Sequence, residues 1–177
     1  QNPGVNLIHI LGDKIWWVTT DSLFAYSLDQ QQGTAFLSVK RKLPAENYNA
    51  INNKSHLIAD PRNNMLIWVG LTQYGQLDTK TGEFLFLRTF PAFLTYPGPL
   101  SFDSDGCLWL NSYEAGIFRL LPKEGKLFDI RRSEDQDINI GKHYKCKMVL
   151  EDKYGNLWLA SSGYGLFKRS IVTSKFG

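Results

Sequence analysis

The sequence predicts an all-β chain of about four successive four-stranded antiparallel units. Three observations carry that expectation. Trp16, Trp68, Trp109 and Trp158 each sit in a short apolar run and recur at intervals of 52, 41 and 49 residues. Turn-forming residues return on the same beat: Asp103 and Asp152 lie six residues ahead of their tryptophans, and Gly75, Gly116 and Gly165 lie seven residues behind theirs. Val, Ile, Phe, Tyr and Trp are plentiful, and no apolar stripe with the 3.6-residue helical period runs for a useful length. Units of this length, each with one large aromatic, have the pattern of β-propeller blades.

Each unit reads strand, turn, strand, turn, strand, turn, strand. The first turn is clearest in Asp103-Ser104-Asp105-Gly106-Cys107-Leu108-Trp109. Its aspartate can accept a bond from the backbone two residues on, and its glycine supplies the positive φ of a tight hairpin. Gly155 repeats the glycine, and Asp60 is expected to fill the aspartate's role two residues further out. The second strand carries the tryptophan, and the following glycine is expected to let the next loop turn sharply. The third strand begins at Leu23-Phe24, Gln76-Leu77, Ile117-Phe118 or Leu166-Phe167, and the first unit lacks the glycine before it. A polar turn with Gly33, Gly82 or Gly125 leads to the fourth strand. Approximate blades are 1–50, 51–97, 98–140 and 141–177. The fourth stops where its last strand would begin. Propellers close with 4–8 blades, so a segment of a larger propeller is expected. Its open blade edges would invite further blades or a second copy of the chain.

Composition narrows the function. With 43% hydrophobic residues among 177 there is ample material for a core. The net charge of +3, from 20 basic and 17 acidic residues, leaves no nucleic-acid footprint. The densest basic stretch, Lys142-His143-Tyr144-Lys145 with Lys147, is short and reads as a solvated loop. No apolar run is long enough for a membrane helix, and no signal peptide opens the chain. Cys107 and Cys146 have neither metal nor disulfide-framework spacing and read as buried thiols in strand-like segments. His9 and His56 fall in first strands and His143 in a loop, with no spacing that joins them to a metal or a nucleophile. Asp103-Ser104-Asp105-Gly106 opens like a calcium loop but lacks the distant bidentate glutamate, so it reads as a turn. No cofactor is implied.

The segments Asp103 to Phe118 and Asp152 to Phe167 resemble the two-component regulator propeller repeat, in which D-x-x-G-x-L-W is followed by small residues, glycine and, at the end, arginine. The match spans nearly the whole chain, good in the third and fourth units, fair in the second and weak in the first. Gly70 and Ala160 fit the small position after the tryptophan pair, and Asn111 departs from it. The resemblance implies the periplasmic sensor region of a Bacteroides-type hybrid two-component histidine kinase. Such sensors typically detect oligosaccharides released from glycans. The kinase, membrane helix and immunoglobulin-like domain of that architecture have no counterpart in these 177 residues.

Candidate ligand contacts lie in the loops between second and third strands. Tyr74 and Tyr164 hold matching positions, Tyr113 lies two residues earlier, and Glu114 sits beside it, with Gln73 and Asp21 in the equivalent loops. Tyrosine offers a sugar an apolar ring face plus a hydroxyl, and a glutamate accepts from sugar hydroxyls. The competing reading is that these tyrosines cap blade interfaces. The long connections around Glu46-Asn47-Tyr48-Asn49, Phe93 to Pro99 and Arg131 to Asp137 are the other places for recognition. Two further classes stay open: a propeller lyase or glycosidase-like enzyme, and a protein-interaction scaffold. A lyase would need histidine and acidic residues gathered at the ring centre, whereas the three histidines here are out of register.

Overall fold

Fifteen strands make up four antiparallel sheets among the residues that the computed structural model describes, namely 8–19, 21–29, 33–45, 55–94, 97–112, 115–129, 146–163 and 165–169. The first sheet is β1 (His9–Leu11), β2 (Lys14–Val18), β3 (Ser22–Asp29) and β4 (Thr34–Lys42). The second is β5 (His56–Asp60), β6 (Met65–Val69), β7 (Gln73–Leu77) and β8 (Phe84–Thr89). The third is β9 (Gly98–Phe102), β10 (Leu108–Ser112), β11 (Gly116–Leu121) and β12 (Lys126–Asp129). The fourth has β13 (Cys146–Glu151), β14 (Leu157–Ser161) and β15 (Gly165–Arg169). In every sheet, strands adjacent in sequence are adjacent in space. This is the four-unit all-β arrangement expected from the sequence, with each of the four tryptophans on the second strand of its sheet.

Two compact units divide the chain, Gln1–Pro99 and Leu100–Gly177. In the first, the core lies between the first two blades. Trp16, Val18, Leu23, Ala25 and Val39 of one sheet meet Leu57, Leu66, Trp68 and Leu77 of the next, all nearly removed from water. In the second, Trp109 and Ile117 meet Val149, Leu157 and Leu159. Period-2 alternation makes this possible, because alternate side chains of one strand serve opposite faces of the sheet.

The register of the second blade departs from expectation. In the first three sheets the last hairpin closes with a glycine N–H donating to the carbonyl four residues earlier: Gly33 to Asp29, Gly82 to Asp78 and Gly125 to Leu121. Counting back two residues from each acceptor reaches Ser27, Gln76 and Arg119. Arg119 lies opposite Trp109, but Gln76 lies opposite Ile67. Ile67 therefore holds the place that corresponds to Trp109, and Trp68 points from the other face, toward the first blade. The cause is the preceding turn. Pro61–Asn63 forms a 3-10 turn and Asn64 takes a φ of 47°, so the hairpin closes at Asp60 and Met65 and Trp68 stands three residues past the closing residue, whereas Trp109 stands two past Cys107, whose carbonyl accepts from Asp103.

Gly75 is corrected with it. It is not a turn glycine but an internal residue of β7, directly opposite Trp68. A Cβ there would lie 2.5 Å from the Phe86 carbonyl oxygen and 2.6 Å from the Phe84 ring. The missing side chain lets Phe84 lie edge-on to Trp68, with ring centroids 5.6 Å apart. Gly116 and Gly165, by contrast, open β11 and β15 with φ of 95° and 86°, the conformation a sharp turn requires. Gly75→Ala is expected to destabilise the fold by about 1–3 kcal/mol, because backbone and a packed ring must both yield. Urea denaturation followed by tryptophan fluorescence would measure it, and an unchanged midpoint would contradict the close approach.

Candidate functional site

In the third blade the aspartate, the turn and the tryptophan form one hydrogen-bonded cluster. Asp103 Oδ1 accepts from the backbone N–H of Asp105 at 3.1 Å and of Cys107 at 2.9 Å. Asp103 Oδ2 accepts from the Trp109 indole Nε1 at 3.0 Å and from Arg119 Nε at 2.6 Å. The second arm of Arg119 reaches Asp105 Oδ2 at 2.5 Å. Burial disfavours the guanidinium charge, but the two carboxylates outweigh it and hold Arg119 protonated. Asp103 is buried and its charge is compensated on every side, as a buried carboxylate requires. These carboxylates face an arginine, not a cation cage, in accord with the turn reading.

The fourth blade repeats the device without the arginine. Asp152 Oδ1 accepts from the N–H of Tyr154 and of Asn156, each at 2.9 Å, and Oδ2 accepts from Trp158 Nε1 at 2.9 Å. Asn156 Nδ2 adds bonds to both oxygens. Lys168, opposite Trp158 as Arg119 is opposite Trp109, lies over the indole ring at 5.4 Å. The indole donor and then Asn156 hold the Asp152 carboxyl well below the usual carboxylate range.

The first two blades lack the full device. Asp60 keeps the turn function by accepting from the Arg62 N–H at 3.1 Å and Asn63 Nδ2 at 2.6 Å, but the Trp68 indole donates to Ser55 Oγ instead. In the first blade the residue six ahead of Trp16 is Ile10, and the buried Trp16 Nε1 has no partner among the described residues.

Of Tyr74, Tyr113, Glu114 and Tyr164, only Tyr74 lies within the described residues. The hairpin between β6 and β7 is tight, with Gly70 N–H donating to the Gln73 carbonyl at 2.8 Å, so Tyr74 falls inside β7 rather than in a loop. It is 2% exposed, with its ring against Phe86 and Phe90 at 6.2 and 4.7 Å. Burial raises its phenol pKa, with Arg88 opposing. Its ring faces are covered, unlike the stacking platform read from the sequence. Gln73 opens the same strand. Asp21 remains in an exposed turn, accepting from Ser22 Oγ at 3.0 Å. Tyr113, Glu114 and Tyr164 lie outside the described residues, as do His143 and the connections at 46–49 and 131–137. Ser112 pairs with Gly116 and Ser161 with Gly165.

Other groups are absorbed by the scaffold. Cys107 and Cys146 are free, buried thiols, and burial pushes Cys107 up to about 11. Burial lowers the His9 pKa against a backbone bond at Leu57. Asn111, which departs from the repeat, donates to the Cys146 carbonyl at 3.0 Å and so joins the third blade to the fourth. Among the described residues no three His, Cys, Asp or Glu side chains gather as a metal site. No helix among them is long and apolar enough to cross a membrane. An open cleft of about 360 Å³ lies beside Lys40, Arg41 and Lys42 of β4 and Gly82 and Glu83 of the facing turn.

Known structures share this arrangement. Streptogramin B lyase matches 98% of the chain at 17% identity with a TM-score of 0.60. A catalytically inactive virginiamycin B lyase from Staphylococcus aureus, with quinupristin, matches 98% at 16% identity and 0.59. These are β-propeller blades. The extracellular domain of a putative one-component system from Bacteroides thetaiotaomicron matches 96% of the chain at 16% identity and 0.59. The chain spans 56% and 57% of the two lyases and 21% of that extracellular domain. No protein-family profile and no curated protein sequence matches it.

Two outcomes follow from the clusters. Asp103→Ala would strip a half-buried arginine and a buried indole of a shared acceptor at once and is expected to cost about 3 kcal/mol in chemical denaturation. Asp152 has a depressed folded-state pKa, so its contribution is present above the unfolded value of about 3.9 and is lost as pH falls through the folded value. Stability measured from pH 7 down to strong acid should therefore drop below about pH 4, and Asp152→Asn should flatten part of that drop.

Proposed function

We propose that this chain is a non-catalytic, ligand-sensing segment of a larger periplasmic propeller, and that its ligand is an oligosaccharide. The kinase output of such a hybrid two-component sensor lies on other domains. The observation that carries the reading is the cluster of Asp103, Trp109 and Arg119, with its counterpart at Asp152 and Trp158. The positions that make these units resemble the two-component regulator repeat are engaged in holding the blades together. The ligand contacts are assigned to Tyr113, Glu114 and Tyr164, as read from the sequence. The fold shared with an extracellular sensor domain supports the same reading.

The lyases' likeness supports a second reading, turnover of a streptogramin-type lactone, and both can be tested together. Calorimetry of the full sensor region against a panel of oligosaccharides should find a binder. Tyr113→Ala, Glu114→Ala or Tyr164→Ala should weaken it by about 1–3 kcal/mol while the fold is kept. Tyr74→Ala should act on stability instead. Unchanged affinity in all three folded variants would move the site to the inter-blade connections. Hydrolysis or elimination of quinupristin by the purified chain would replace sensing with catalysis.

A further inference from the structure

The cleft of about 360 Å³ in the first unit combines an apolar lining with a cationic rim. Leu23 and Leu43 are buried in it, Phe84 is half-buried, and Lys40, Arg41 and Lys42 border it in succession. Strand alternation sends Arg41, opposite Leu23, to one face of β4, and Lys40 and Lys42, opposite Phe24 and Ser22, to the other. A cleft that all three border therefore runs along the edge of the strand. β4 is outermost in its sheet. Blades stack through the faces of their sheets, so another blade stacked on this one would leave that edge open.

The cations are available there. Arg41 is already oriented, with Nε donating to the Thr81 carbonyl at 2.8 Å and Nη2 to Glu83 Oε1 at 3.0 Å. Its other N–H donors stay available to a ligand. Lys40 and Lys42 make no hydrogen bond or ion pair with any described residue. Glu83 is the one acid among the lining residues, and Arg41 already engages its carboxylate. Such a surplus of positive charge favours an oxyanion. The volume falls in the range of small-ligand sites, and an apolar lining with a few convergent polar groups is the form they take. We infer that this cleft is a subsite for an acidic oligosaccharide, its carboxylate or sulfate met by Lys40, Arg41 and Lys42 and its ring seated on the apolar lining. The subsite rests on the oligosaccharide-sensing function and restricts the ligand to anionic saccharides.

Calorimetry of the full sensor region with matched pairs tests this: trigalacturonic acid against its methyl ester, and a sulfated lactose against lactose. In at least one pair the acidic member should bind about tenfold more tightly, and the gap should shrink as salt rises. A gap in the first pair identifies a carboxylate, and a gap in the second a sulfate. Lys40→Gln with Lys42→Gln should weaken the acidic member about tenfold and leave the neutral one unchanged. Both positions are exposed and unpaired, so the melting temperature should stay where it was. Glu83→Gln removes the competing carboxylate, gives up only an exposed ion pair, and should tighten the acidic ligand about threefold. A merely structural role for these residues would not produce that gain. Equal binding of acidic and neutral partners would overturn the subsite and leave oligosaccharide sensing standing. A preference for the acidic partner that survives the double lysine variant would overturn it too, by placing the anion elsewhere. Binding of no saccharide, in these pairs or in the wider panel, would sink the sensing function and the subsite with it.

Discussion

The constraint on which the best-formed blades depend is a single carboxylate serving two masters. One oxygen of Asp103 or Asp152 takes the backbone N–H groups of the turn, and the other takes the indole N–H six residues on. A buried indole needs an acceptor, and a buried carboxylate needs donors. Putting the two across one hairpin satisfies both, and it also fixes which face of the second strand the tryptophan occupies. That choice decides everything downstream, since the tryptophan's face becomes the surface on which the next blade is seated.

Between blades, polar clamps frame the apolar contact and differ from one interface to the next. In the first unit, Lys14 Nζ donates to the Lys80 carbonyl at 2.7 Å and Arg41 Nε to the Thr81 carbonyl at 2.8 Å, so two cations grip the turn between β7 and β8. Asp78 organises that turn from within by accepting from the N–H of Lys80 and Thr81. Gly82 sits at its tip with a φ of 70°, where a Cβ would lie 2.7 Å from Val39. In the second unit the grip runs through Ser104, whose Oγ donates to Glu151 at 2.6 Å and whose N–H meets the same carboxylate. The apolar seat is the repeated element; the clamp is local invention around it. Exposed ion pairs such as Arg41 with Glu83 add little by themselves, so these clamps chiefly fix orientation.

Much of this was legible in the sequence because turns and strand periodicity are local. The aspartate-glycine turns, the position of each tryptophan on a second strand and the buried thiols all follow from residues within a few positions of one another. What misled was equal spacing taken as equal role. Gly75, Gly116 and Gly165 share a distance from their tryptophans, yet Gly75 lies opposite Trp68 while the other two open their strands. The turn after Asp60 closes at Met65, three residues before Trp68, whereas the turn after Asp103 closes at Cys107, two before Trp109, and in a structure of period two that odd difference exchanges the faces. The partner of the indole was also hidden. The spacing drew attention to the aspartate as a turn former, and only the geometry shows its second oxygen reaching the tryptophan. The repeat pattern ends in arginine at the position of Arg119, but its role shows only in the pairing across β10 and β11.

The same reasoning separates tyrosines that look alike in sequence. Tyr74 and Tyr164 are each six residues past a tryptophan. In the second blade the hairpin closes at Val69 and Tyr74, which draws the tyrosine into the sheet against Phe86 and Phe90. In the fourth it closes at Ser161 and Gly165. The closing pair of the hairpin, rather than distance from the tryptophan, therefore decides whether a residue belongs to the sheet.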